Sequence, residues 1–345
     1  MSIERADKAV LRLAIGLALA ALLAYGLALP SPFVACVITV LLLCKPGPPL
    51  PLAKGIVAAL LLVAVLAGGV LMVPLLEHYA VAGLVLSAGL LYLVFRFGPQ
   101  SGSRLTIVLV IALTVMPVAG VADQALALAL GTALAVGLGV GVLVGGLAHG
   151  LFPDRAPAAG APPPPLAAGM ATDAARWQAA QATLVVMPVF VLALVHPAFY
   201  VAAIIKAAML GQQAGSTGAR SAGRELVGST LAGAGMAAIA WLGLAILPNL
   251  WMLVLVLWLA AAALWSGARL FGVTASSFRP SFWSNALVTM LILFGPAIED
   301  SVAGKDVASA ALMRVSLFVA LALYAWAIVW ALEGWRAART RVLPQ

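Results

Sequence analysis

The hydrophobic positions of this chain come in long blocks. Apolar runs cover residues 9–28, 32–44, 55–76, 79–95, 105–121 and 124–150, and then 178–195, 198–212, 226–247, 250–267, 283–297 and 307–332. A helix needs ~20 mostly apolar residues to cross a bilayer, so the pattern predicts an all-α integral membrane protein of about twelve transmembrane helices. The blocks fall into two sets of six. Leu29-Pro30-Ser31-Pro32-Phe33-Val34-Ala35, at the mouth of the second segment, recurs as His196-Pro197-Ala198-Phe199-Tyr200-Val201-Ala202 at the mouth of the eighth. Pro30 falls on Pro197, Phe33 on Tyr200 and Ala35 on Ala202, all at one offset of 167 residues.

Between the sets, residues 153–172 hold Pro153, Pro157 and the run Pro162 to Pro165 among Ala and Gly. This composition cannot build a packed core and reads as a semi-rigid linker. The chain therefore divides into a first six-helix repeat over 1–152, a linker over 153–172 and a second six-helix repeat over 173–345. With an even number of helices per copy, both copies enter from the same side, as parallel repeats about an axis along the membrane normal.

Composition narrows the picture further. Hydrophobic residues make up 64% of the chain and charged ones 9%, which leaves no soluble domain large enough for a catalytic site. The net charge of +8 comes from residues spread along the chain rather than gathered into a patch, which argues against nucleic acid. Arg5, Lys8, Arg12, Lys45, Lys54, Arg96, Arg104, Arg155, Arg176, Arg220, Arg224, Arg269, Arg279, Arg336, Arg339 and Arg341 fall at one set of helix ends, with Lys305 at the other. By the positive-inside rule, both termini and the linker are expected in the cytoplasm. The first segment lacks a convincing cleavage site and is expected to remain as an anchor. Cys36 and Cys44 sit ~12 Å apart along one helix, too far for a disulfide.

Two segments in each copy are irregular. The second is short and begins at proline; the fifth contains Met116-Pro117 in one copy and Gly295-Pro296 in the other, which are expected to break it. Paired interruptions point to a substrate cavity among helices 2, 5, 8 and 11, the alternative being that these prolines fall at interfacial turns.

Lys206 lies nine residues past Pro197, ~13 Å along the helix and so near the bilayer midplane. A cation there costs ~2.5 to 3.5 kcal/mol, and an organic carboxylate would compensate it; snorkelling toward Gln212 and Gln213 is the competing reading. The offset of 167 places Thr39 opposite Lys206, so the charge belongs to one half. Phe33, Phe199 and Tyr200 are candidates to stack on an aromatic substrate. Asn285 and Thr289, four residues apart, can hydrogen-bond a carboxylate or another helix. Arg314, inside the last segment, is a second candidate for the anion, with an ion pair to Glu299, Asp300 or Asp306 equally open. Asp123 and Asp300 follow the two prolines in corresponding places and are the candidate proton relay. Trp251, Trp258 and Trp265 recur every seven residues, a spacing more typical of a packing or lipid-facing seam than of a substrate surface.

The chain carries no Walker loop, no Cys/His metal spacing, no nucleophile elbow and no Asp-rich cluster at a helix end. Neither a cofactor nor a metal is expected, and no enzymatic activity.

Arg12 through Val40, with the proline motif inside it, resembles the opening of the six-helix module of the bacterial fusaric acid resistance and aromatic acid exporter superfamily. Arg224-Glu225-Leu226-Val227-Gly228-Ser229-Thr230-Leu231-Ala232-Gly233 resembles its Arg, Gly-Thr, Gly signature, with Ser229 inserted between the Gly and the Thr; Lys54-Gly55 is a degenerate match in the first copy. Many relatives carry a large cytoplasmic domain between the modules, and here only the linker stands there. The resemblance implies an inner-membrane exporter of small aromatic or amphipathic acids, working with a periplasmic adaptor and an outer-membrane channel. Together with the repeats it leads to the expectation of a secondary transporter of an organic anion, in contact with membrane lipid and driven by proton antiport. A non-transporting scaffold subunit and an enzyme acting on a lipid-linked substrate are the rival readings, and a homo-oligomer is left open.

Overall fold

The computed structural model describes residues 5–44, 52–98, 106–153, 172–216, 219–266 and 280–342. Most of the linker, with Arg155, and the loops that hold Lys45, Arg104, Arg269 and Arg279, lie outside these residues. Everything described is helix or short turn. The helices are α1 (Arg5–Gly26), α2 (Pro32–Leu43), α3 (Leu52–Leu71), α4 (Val73–His78), α5 (Ala80–Phe97), α6 (Thr106–Ala122) and α7 (Gln124–Leu151) in the first half. In the second half they are α8 (Thr172–Val195), α9 (Pro197–Ser216), α10 (Ala219–Ala222), a π-helical turn (Gly223–Val227), α11 (Gly228–Ile246), α12 (Leu250–Ser266), α13 (Pro280–Val302) and α14 (Val307–Val342). Each apolar block of the sequence coincides with one of these helices or with a contiguous pair.

Among the described residues, eight helices are long and apolar enough to cross a membrane. Helices α2, α6 and α12 are apolar but shorter. Helix α9 is long enough, yet Lys206, Gln212 and Gln213 dilute its apolar character. Proline explains where α2 and α9 begin: Pro32 and Pro197 stand at the first helical position, where a missing N–H costs nothing and the fixed φ fits the helix. The turn before α2 is strained, with Ala28 (φ 49°) and Ser31 (φ 41°) both left-handed.

The prolines of the fifth segments do not break their helices. Helix α6 runs through Pro117 and α13 through Pro296. In a membrane bundle, neighbouring helices and local adjustment re-satisfy the freed carbonyl, so a proline inside a span is tolerated.

Burial sorts the helices into two shells. In the Ser281–Val302 span 72% of the most apolar window is buried, against 22% in Ala80–Phe97. Helices α2, α6, α9 and α13 form the inner shell, and α3, α5, α11, α12 and α14 expose rows of Val, Leu and Trp, as lipid-facing helices do. The inner helices belong to the second and fifth segments of each half.

Packing partners match across the halves. Helix α1 packs on α12 as α8 packs on α5; α2 on α13 as α9 on α6; α2 on α7 as α9 on α14; α3 on α6 as α11 on α13. Small residues allow the close approaches. On α7, Gly137 and Gly141 face α2, where a β-carbon at Gly137 would lie 3.2 Å from the Ala35 Cα, a small-xxx-small contact. On α13, Gly295 leaves room for the Phe33 ring of α2.

Candidate functional site

Most buried hydroxyls in the bundle are spent within their own helix. Thr39 donates to the Ala35 carbonyl (2.8 Å), Ser87 to Gly83 (2.8 Å), Thr114 to Val110 (2.9 Å) and Thr230 to Leu226 (2.7 Å). Such back-bonding satisfies the hydroxyl hydrogen and leaves the oxygen able only to accept. A different arrangement surrounds Lys206.

Lys206 is fully buried on α9. Its Nζ donates to Thr289 Oγ1 (2.6 Å) and Asn285 Oδ1 (3.2 Å), both on α13. Asn285 Nδ2 in turn donates to Ser229 Oγ on α11 (2.6 Å). Three helices thus share one polar cluster in the core, and all four of its side chains are almost completely buried. The π turn Gly223–Val227 ends two residues before Ser229, and such bulges are common at functional sites. Helix α3, which holds Lys54-Gly55, is regular. Close approach of α11 to α13 is secured at Gly233, where a β-carbon would collide with the Ala286 carbonyl and the Thr289 side chain.

The energetics of this cluster are unbalanced. Interhelical hydrogen bonds in membranes contribute about 0.6 kcal/mol each, so two of them fall short of the ~2.5 to 3.5 kcal/mol that a lysine costs at the centre of a span. No carboxylate lies within ion-pair distance of Nζ among the described residues. Snorkelling does not relieve the amine either, because it points into the core. Such a group is held at a cost to stability, which makes Lys206 the leading candidate for function.

The remaining sequence candidates take other places. Phe33 is buried on α2 against Gly295 of α13. Thr39, also buried, bonds only to its own helix and does not reach Lys206. Phe199 and Tyr200 pair edge to face (4.7 Å between centroids, 85°). Phe199 is exposed and Tyr200 half-buried at the mouth of α9, ~9 Å of helical rise from Lys206. Arg314 pairs with Asp300, Nη2 to Oδ2 at 2.6 Å, and Lys305 approaches the same carboxylate at 3.5 Å. The ion pair, open in the sequence beside a substrate role, is thus formed. Asp123 is exposed and caps α7, accepting from the Ala125 N–H (3.1 Å). Asp300 and Asp123, parallel in sequence, therefore sit in unlike surroundings. Asp306 caps α14 and is held below the ordinary aspartate value by hydrogen bonds from the Ser309 hydroxyl, then from the backbone N–H groups of Ser309 and Ala308. Trp251 is exposed and Trp258 half-buried on α12, as a lipid-facing seam requires.

An open groove of about 850 Å³ runs along α5, lined by Tyr79, Val85, Leu86, Gly89 and Leu93. It lies on the exposed, apolar side of that helix and offers a carboxylate no cation. Among the described residues, no group of His, Cys, Asp and Glu has the placement to hold a metal ion.

Residues 9–148 match the model of a family described as a protein of unknown function (DUF2955). The matched stretch runs from α1 to α7 and ends before the second half. No curated protein and no solved structure matches the chain.

Sequence reasoning singled out Lys206, Asn285 and Thr289 separately; the fold brings them together. It missed Ser229 as a member of the cluster, because the contact between α11 and α13 that brings it to Asn285 is not visible in either segment alone.

Proposed function

We propose that the protein is a secondary transporter that carries a small aromatic or amphipathic organic anion across the membrane through the four inner helices, with Lys206 meeting the carboxylate. The observation that carries this reading is the sealed amine of Lys206, held by neutral oxygens alone at the centre of the inner shell. An anion supplies the countercharge that the ammonium form of Lys206 would need. Asn285 and Thr289 then share their hydrogen bonding between the amine and the substrate.

Matching packing partners across the halves support the reading of two parallel six-helix repeats. So does a family model that spans the first six segments alone. Two related halves rocking about a shared site can expose it to each side in turn. The apolar helices support residence in a membrane. Placement in a bacterial inner membrane with both termini in the cytoplasm rests on the distribution of Lys and Arg. Direction of export, a periplasmic adaptor and an outer-membrane channel rest on the resemblance of the proline motif and the third-helix signature to the aromatic acid exporters.

The test is accumulation of radiolabelled aromatic carboxylic acids in cells stripped of their own exporters, with the chain alone, with its adaptor, and as K206A. Lower accumulation that depends on Lys206 is expected. Unchanged accumulation with a folded, inserted protein would favour the scaffold reading instead.

A further inference from the structure

Hydrogen-bond directions around Lys206 bear on the stoichiometry of transport. Thr289 gives its hydroxyl hydrogen to the Asn285 carbonyl (2.6 Å), so its oxygen can only accept from Nζ. Ser229 gives its own to the Glu225 carbonyl (2.5 Å), so it can only accept from Asn285 Nδ2, which turns Oδ1 of that amide toward Nζ. Backbone carbonyls one turn away thus lock both partners of Lys206 as acceptors. Nζ meets two acceptors and is sealed from solvent. A neutral amine has two N–H donors and an ammonium three.

Among the described residues, nothing charged sits close enough to hold the third. Helix α6, packed along α9, contains no titratable residue. On α13, Glu299 and Asp300 lie ten and eleven residues past Thr289, ~15 Å along the helix, and Asp300 is engaged by Arg314 of α14 and by Lys305. Elsewhere on α14, the Tyr324 hydroxyl donates to the Leu184 carbonyl (2.9 Å); Glu333 and Arg336 lie near that helix's far end. Helix α8 contributes the Asp173–Arg176 pair in its first turns. Arg224 and Glu225 of the π turn make contacts of their own, none of them with Nζ. His196 and Tyr200 stand at the mouth of α9.

We propose that Lys206 is neutral when no anion stands beside it and takes up one proton with each organic anion, so that proton and anion cross together as an electroneutral pair. This rests on the transport reading above. On the open side the Nζ lone pair accepts a proton from water, and the new third N–H donates to the carboxylate. On the far side the carboxylate leaves and the proton returns to water. Flux runs outward when the acid is made inside and inward when it is supplied outside. Coupling is therefore symport, in place of the antiport expected from the sequence, and the carrier is Lys206 rather than Asp123, a helix cap, or Asp300, clamped by two cations.

Full-length protein in phosphatidylethanolamine and phosphatidylglycerol vesicles provides the test. The probe is radiolabelled naphthalene-1-sulfonate, a fixed anion that cannot leak across as a neutral acid, with a pH-sensitive dye in the lumen. The expected result is uptake accelerated by an acid exterior, one proton entering per anion, and no response to a potassium-diffusion potential. K206R, which keeps its charge, should lose the response to pH and become potential-dependent, while K206M should fall about tenfold or more. T289V, which keeps the lysine and removes one acceptor, guards against a folding failure at position 206 and should retain coupled flux at a lower rate. Uptake driven by potential without proton entry overturns the symport and leaves the transport reading standing. No flux above protein-free vesicles, for the sulfonate or for hydroxybenzoate, overturns both. If hydroxybenzoate alone moves, the same two gradients are read with it after subtraction of the protein-free leak.

Discussion

The two halves of this bundle make the same contacts with different chemistry. Helix α2 packs against α7 and α13, and α9 against α14 and α6, in matching pairs. At the position the sequence alignment pairs with Lys206, the first half has Thr39, which bonds to its own helix and asks nothing of its neighbours. In the second half Lys206 takes both of its partners from α13, and one of them, Asn285, is held in turn by Ser229 of α11 just past a π turn. Matching contacts in the two halves can thus persist while one half alone is furnished with a polar site. Packing depends on small and apolar contacts spread along the helices, whereas the site depends on a few side chains.

That contrast can be broken most directly at its centre. K206M should reduce anion flux about tenfold or more, and T39V should change it less than twofold or so, because a helix-internal hydroxyl bond contributes little in a membrane. Equal losses in the two variants would mean that the halves share the site after all. Next in size comes the seam between halves. G295A pushes a methyl group into the Phe33 ring, and overpacking of this kind costs about 1 to 3 kcal/mol. Thermal unfolding in detergent should show it, and in an F33G background, which lacks the colliding β-carbon as well as the ring, G295A should cost less than it does in the wild type if that contact is the cause.

Ser229 sharpens the comparison more finely. S229A leaves the Asn285 amide without its acceptor and should cost about 1 kcal/mol, with a drop in Lys206-dependent flux that a hydroxyl deletion at Thr39 does not produce. Retained flux in S229A would show that Asn285 needs no orienting partner. The smallest effect is expected at K305A. Its ion pair with Asp300 is long and exposed on the lysine side, so its removal should shift stability by ~0.5 kcal/mol or less. A larger shift would give the cluster at Arg314 more weight than the geometry assigns.

Much of the architecture was readable before any coordinates. Long apolar blocks must become helices in lipid, since no other open structure satisfies every backbone group there, and Pro32 and Pro197 mark where two of them start. The prolines at 117 and 296 misled, because the signal that ends a helix in water is tolerated when neighbouring helices can re-satisfy the backbone. The inner position of the second and fifth segments followed from their irregularity, though the expected broken ends are absent and continuous helices stand in their place.

What the sequence determined by itself is the helical class, the placement of the apolar segments, and the presence of one lysine deep in one of them. Those are properties of local composition and spacing, which act within one helix at a time. Only the tertiary structure decided that Lys206, Asn285, Thr289 and Ser229 form one cluster, that Arg314 belongs to Asp300, and that Thr39 stands apart. Each of these depends on how closely and in what rotation two helices meet, which is set by glycines and ring contacts far apart in the chain, such as Gly233 against Thr289 and Gly295 against Phe33.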